Sequence, residues 1–364
     1  MSLVKVLSFL RILAKFWEMI FGKTVRNHPR ARLIRSGWWV YTPPATLPYR
    51  RLFLNFRAIL PIFSASILLV SCSSPNIDNN VNLEGTAIND SSLAFPQEFL
   101  LSAQGAPSDS LKLVPVVVSM HGFSASTYEW EEFRNYLDSV GGARMSLPLL
   151  GGHGRDYADF KKATWQDWQS GPLNEYDSLV ALGYKNLSIT CSSTGCPLLV
   201  DAMATGWFDS RPAPQEVIMI DPIIFSSAKL LTLAEIVGPF LGNVETDCTE
   251  VEKGHWYCNR PAAALEQLMT LLTHVRKQLE DGVRAPAGTK IVVYKAKHDE
   301  SADPVSALAL YKGLRNGDNS NIVVHMVNSS THVFTRSNGR ASWSPAQRAL
   351  QLQTFADMKA LLAP

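Results

Sequence analysis

Acidic residues are almost missing from the first 71 positions of this 364-residue chain, where eleven Lys/Arg stand against one acid, Glu18. Basic surplus is missing from the rest, which holds 23 Lys/Arg and 31 Asp/Glu, so the formal net charge of +2 hides two opposed parts. A body of that balance has no basic stripe to neutralise phosphates, which excludes nucleic acid as a partner. Cysteine is scarce, five in all, and no close Cys/His pair recurs at metal-ligand spacing, which excludes a zinc centre. Methionine is absent between Met19 and Met120, and no internal repeat is present. What remains is a globular composition, long enough for one large domain or two small ones.

The basic head reads as an export signal. Arg50, Arg51 and Arg57 precede an apolar run from Ala58 to Val70, too short for a comfortable membrane span and the right length for a signal-peptide core. Leu69-Val70-Ser71-Cys72 is similar to the bacterial lipobox, in which the cysteine is lipidated and becomes the first mature residue. The competing readings of Cys72 are an ordinary membrane anchor or a chance cysteine. Signal peptides begin about 15–30 residues before cleavage, so translation is expected from a non-Met codon near Leu47 to Leu54, with a cytoplasmic extension as the alternative. Residues 1–71 are the expected signal region. Residues 72–110, rich in Ser and Asn and without apolar period, are the expected lipidated flexible tether. The protein is then expected in a bacterial cell envelope, lipid-anchored, on the periplasmic side of the outer membrane if there is one, and as a monomer.

From Leu111 onward short apolar β-rich runs alternate with helical patterns, which predicts an α/β fold: a mostly parallel, doubly wound sheet over 111–364. Strands are predicted at 114–122, 143–150, 186–192, 216–224, 290–299 and 321–329, and helices near 127–139, 165–182, 194–206, 304–315 and 344–362. The interval from Ile223 to Thr289 is too long for a plain loop, and its helical segments KLLTLAEIVGPFLG and AAALEQLMTLLTHVRKQL predict a helical cap over the sheet edge.

The stretch NLSITCSSTGCPLLV, Asn186 to Val200, turns a strand into a helix around two serines and a glycine. Such an elbow presents a nucleophile, and its usual signature is G-x-S-x-G. Strand and helix nearly touch at positions −2 and +2, so both must be small. Around Ser193 they are Cys191 and Gly195, whereas around Ser192 they are Thr190 and Thr194, branched at Cβ. Ser193 is therefore the predicted nucleophile, against the plain alternative that both serines cap the next helix. Asp299 and His332 also follow predicted strands directly, where open α/β sheets place their sites. His332 is the predicted base, since His325 lies in a strand, His274 in a cap helix and His255 in a Cys-flanked cap loop. Asp299 is the predicted orienting acid. Asp303 better suits the cap of the following helix, and Asp221 is a second rival. Gly122 allows a tight turn after the first strand, so that the N–H groups of Phe123 and Thr194 can form an oxyanion hole.

Together SMHGFSASTYEWEEFRNYL, SLPLLGGHGRDYADFKKATWQDW, the serine elbow, KAKHDESADPVSALALY and STHVF resemble the bacterial carboxylesterase and monoacylglycerol-lipase-like branch of the α/β-hydrolases, including serine aminopeptidase-like members, over about residues 111–362. The resemblance implies the α/β-hydrolase fold, with a cap at about 223–289 before the strand leading to the acid. It implies Ser193, Asp299 and His332 as triad, Phe123 and Thr194 as oxyanion donors, and no cofactor or metal. The chain departs from that pattern at Cys191 and Cys196, which replace the outer glycines of the elbow. Outside the cytoplasm cysteines tend to pair. Cys248 and Cys258 are readily bridged across a short loop, while Cys191 and Cys196 are either bridged or two buried thiols. The expected substrate is a small ester of short or medium acyl chain, monoacylglycerol among them. Alternatives are a thioesterase, amidase or aminopeptidase on the same triad, or a catalytically silent lipoprotein that binds acyl chains or a partner.

Overall fold

The apolar runs become six strands in a computed structural model that describes residues 91–227 and 242–363: β1 Val116–Met120, β2 Arg144–Ser146, β3 Leu187–Ser192, β4 Glu216–Ile220, β5 Lys290–Ala296 and β6 Val323–Val327. They lie in the order β6-β5-β4-β3-β1-β2 and every pairing is parallel. The longer helices are α1 Tyr128–Val140, α2 Tyr157–Lys162, α3 Trp165–Ala181, α4 Gly195–Ala204, α5 Ala262–Asp281, α6 Val305–Gly313 and α7 Pro345–Leu361. None of the described helices is long and apolar enough to cross a membrane.

Side-chain alternation decides the layers. Val116, Val118 and Met120 join Ile189, Met219 and Val293 in one core, covered by residues such as Trp168 of α3, Leu198 of α4, Leu272 of α5 and Leu310 of α6. The intervening Val117 joins Ile218, Ile220 and Val292 in a second core against Phe133 of α1 and Phe355 of α7. β1, β4 and β5 feed both cores, while β3 sends Leu187, Ile189 and Cys191 to the first and buries Ser188, Thr190 and Ser192 on the other face; each buried apolar side chain is worth about 1.5–3 kcal/mol. The helices begin where short polar side chains satisfy free amides: Thr164 and Asp167 form a capping box on α3, and Ser344 and Gln347 form one on α7.

Strand order reverses at β1, which is flanked by β2 and β3. The crevice outside the carboxyl ends of β1 and β3 is thus the switch point where such sheets bind ligands.

Two expectations change. The tether of 72–110 does not extend to 110: from residue 91 the chain forms short helical turns, and Phe99 and Leu101 are buried in the two cores. Apolar residues spaced through a polar segment sufficed to dock it. The interval 223–289 also divides differently. Within it, α5 packs on α4 and α6 as a layer of the sheet, because Leu268, Leu271, Leu272 and Val275 form one apolar stripe. His274 and Gln278 of α5 bond the buried Asp201 of α4. Ahead of α5 stands an antiparallel ribbon, Asn243–Glu245 with Asn259–Pro261. Cys72, the export segment and the stretch 228–241, with most of the first cap segment, lie outside the described residues.

Candidate active site

Ser193 follows β3 directly and adopts φ 45°, a left-handed conformation that non-glycine residues rarely take. Its amide donates to the Ile220 carbonyl at 3.1 Å, which pins the turn to the neighbouring strand. Gly195, two residues on, admits no side chain: a Cβ there would lie 2.2 Å from the Met120 carbonyl oxygen. The two cysteines that replace the outer glycines are joined to each other, with Cα atoms 5.0 Å apart, so one covalent clasp ties the end of β3 to the first turn of α4. Cys248 and Cys258 are bridged as well.

His332 Nε2 lies 2.9 Å from Ser193 Oγ, and its Nδ1 lies 2.7 Å from Asp299 Oδ2. The structure therefore brings the three predicted residues into one hydrogen-bonded chain. Asp299 Oδ1 accepts from the amides of Ser301 and Ala302 at 2.8 and 3.0 Å, which fixes the carboxylate in its loop. A residue not foreseen from sequence completes the group. Lys295, fully buried at the end of β5, donates to Asp299 Oδ2 at 2.5 Å and to Asp221 Oδ1 at 3.4 Å. Burial works against the charge of Asp299, but His332 and Lys295 prevail and hold its carboxyl well below the usual carboxylate range. Burial dominates at Asp221 and raises its carboxyl, against the pull of Lys295. Asp221, Asp299 and His332 are also the one cluster of metal-ligand type among the described residues. The Lys295 ammonium already supplies its cation, so the donor set is engaged without a metal.

The rival residues do other work. Asp221 receives the amides of Ala296 and Phe334. Asp303 accepts the Val305 amide at 2.8 Å and caps α6. Ser192 donates to Glu129, whose carboxylate also receives the Gly122 amide. His325 stacks on Tyr294, and His255 stacks on Tyr128 with ring centroids 3.9 Å apart. Besides Ser193, left-handed backbone occurs at Ser124, Asp221 and Val333, all around the site, and elsewhere only at Asn319 among described non-glycine residues. Strain of about 1–3 kcal/mol per position is held in the segments that follow β1, β3, β4 and β6.

Phe123 follows Gly122 at the end of β1 and Thr194 follows Ser193 at the elbow, and among the described residues neither N–H has an acceptor. A cavity of about 290 Å³ opens at the elbow, lined by Gly122, Phe123, Ser193 and His332 on the sheet side and by Thr246, Trp256 and Arg260 of the ribbon region. Arg336 and Arg340 complete the wall. These three arginines, with Lys295 and Glu129, are the site residues that sequence reasoning missed.

No family model matches the chain. Solved structures do: a metagenome-derived lipolytic enzyme from work on LipS and LipT is 19% identical, with a TM-score of 0.52 over 68% of this chain and 94% of its own. A soluble variant of monoglyceride lipase from Saccharomyces cerevisiae, in complex with a substrate analogue, is 12% identical, with a TM-score of 0.52 over 69% and 86%. Monoacylglycerol lipase of Paleococcus ferrophilus is also 12% identical, with a TM-score of 0.50 over 68% and 96%. This chain has the α/β-hydrolase fold.

Proposed function

We propose that the chain is a serine hydrolase that cleaves carboxylic esters through an acyl-Ser193 intermediate. The observation that carries this reading is the unbroken chain from Ser193 Oγ through His332 to Asp299, at 2.9 and 2.7 Å. His332 takes the hydroxyl proton as Ser193 Oγ adds to the ester carbonyl, then delivers it to the departing alcohol oxygen as the C–O bond breaks. Water repeats the sequence on the acyl-enzyme, releasing the acid and restoring Ser193. Asp299 holds the imidazole tautomer, and the Phe123 and Thr194 amides receive the oxyanion, each donor being worth roughly 3–4 kcal/mol. Lys295 fixes Asp299 from behind. The cap over the site includes the ribbon that supplies Thr246 and Arg260. The small cavity supports a short or medium acyl group. Cys72 is proposed as a lipid anchor in a bacterial envelope, supported by its sequence context alone.

The test is hydrolysis of p-nitrophenyl esters of graded acyl length by the purified protein, beside thioester and p-nitroanilide analogues. Turnover greatest on the shorter oxygen esters is expected. A folded protein that turns over none of the oxygen esters would falsify the reading, and faster cleavage of the anilides would replace it with an amidase.

A further inference from the structure

Three guanidinium groups line the cavity beside Ser193, an arrangement unlike the apolar tunnel that a plain acyl chain fills. Arg336 is paired: its Nη2 donates to Glu252 at 2.8 Å, and the two charges cancel. The other two have no carboxylate among the described residues. Arg340 donates only to backbone carbonyls, those of Arg336 at 3.1 Å, His332 at 2.5 Å and Val333 at 3.4 Å. The Arg260 side chain has no hydrogen-bond partner among the described residues, its Nε is buried, and its guanidinium sits 5.8 Å from the centre of the Phe123 ring, beside the expected oxyanion donor. Burial lowers both groups from their ordinary value to about 10, outweighing the pull of Glu252 on Arg260 and of Glu252, Glu129 and Asp221 on Arg340, and leaves both charged at neutral pH with no carboxylate in contact among the described residues.

A cation taken from water and left unpaired is costly, and an incoming anion relieves that cost. Three carboxylates share the lining. Glu252 is neutralised by Arg336, Glu129 is occupied behind Gly122 by an amide and a hydroxyl, and Asp247 is exposed. Two guanidiniums without a carboxylate in contact among the described residues, with two further acids nearby, suit a monoanion better than a dianion, and a guanidinium fork matches a carboxylate. We infer that the substrate is an ester carrying a second, free carboxylate, which Arg260 and Arg340 hold while Ser193 attacks the ester carbon. This rests on the ester-hydrolase reading and names its substrate class.

The test compares kcat/KM per ester group for monomethyl adipate and dimethyl adipate, in the wild type, Arg260→Gln and Arg260→Lys. Rates are divided by the fraction of protein that a fluorophosphonate labels, so that misfolded material does not count. The wild type is expected to favour the monoanion at least about tenfold, the effect of one charge-assisted contact. In Arg260→Gln that ratio should fall to near one, and Arg260→Lys should recover part of it. A labelled wild type that handles the neutral diester as well as the monoanion overturns the inference and leaves the hydrolase reading standing. A ratio unchanged in Arg260→Gln overturns it too. No labelling and no turnover of either ester overturns the hydrolase reading, and the inference with it.

Discussion

His332 stands between two charged groups built on opposite principles. Behind it, Lys295, Asp221 and Asp299 are fully buried and every carboxylate oxygen has a donor. In front of it, Arg260 and Arg340 have no carboxylate in contact among the described residues, and the Nε atoms of Arg260 and Arg336 are buried without acceptors. A satisfied network holds one geometry, and an unsatisfied one is completed by what it binds. The difference assigns fixed orientation to the acid side and recognition to the cavity side.

Breaking the acid side should cost most. Asp299→Asn removes the charge and turns an NH2 donor either toward the Ser301 and Ala302 amides or toward His332 and Lys295, and kcat on p-nitrophenyl acetate should fall by about 10⁴. A loss below about tenfold would mean that His332 is oriented by something else. Lys295→Met removes one partner of a buried charge group, and urea denaturation should show a loss of about 3–5 kcal/mol. The same variant sets a pH effect. Asp299 is held below its unfolded value of about 4, so its contribution to stability is complete above that value and is lost as pH falls through the lower folded value. Removing Lys295 weakens that depression, so the acid-unfolding midpoint should move to higher pH. An unchanged midpoint would contradict the assignment.

The elbow clasp comes next. Cys191→Ala with Cys196→Ala opens a small loop, and the loss of stability should be about 2 kcal/mol by chain-entropy arithmetic, read by thermal unfolding. No change would show that packing alone holds β3 to α4. The smallest effect belongs to the cavity side. Arg260→Gln relieves an unpaired cation and should leave stability within about 1 kcal/mol of wild type. A loss near that of Lys295→Met would erase the contrast between the two groups.

How far this arrangement could be read from sequence follows the range of the physics involved. Local periodicity carried the strands and helices to within a few residues, because period 2 and period 3.6 are properties of neighbours along the chain. The preference for Ser193 over Ser192 rested on the sizes of Cys191 and Gly195, which act through a single close approach. Lys295 was hidden for a different reason. Its position in β5 was plain, but nothing local says that Asp221, from another strand, lies within reach. Arg260 comes from a ribbon between the two expected cap helices, beside the Cys-flanked stretch that was expected only as a loop, and Arg340 from the loop after His332; only the fold sets them around one cavity. The helix α5 was placed in the cap because its length was read without its stripe of leucines, which faces the sheet layer.

The central claim is that Ser193, and not its neighbour, is the nucleophile. Labelling the purified protein with a fluorophosphonate and locating the adduct by tandem mass spectrometry tests it directly. The account predicts one adduct at Ser193, no adduct in Ser193→Ala, and labelling retained in Ser192→Ala, since Ser192 Oγ is directed to Glu129. An adduct on Ser192, or one that survives in Ser193→Ala, would contradict it.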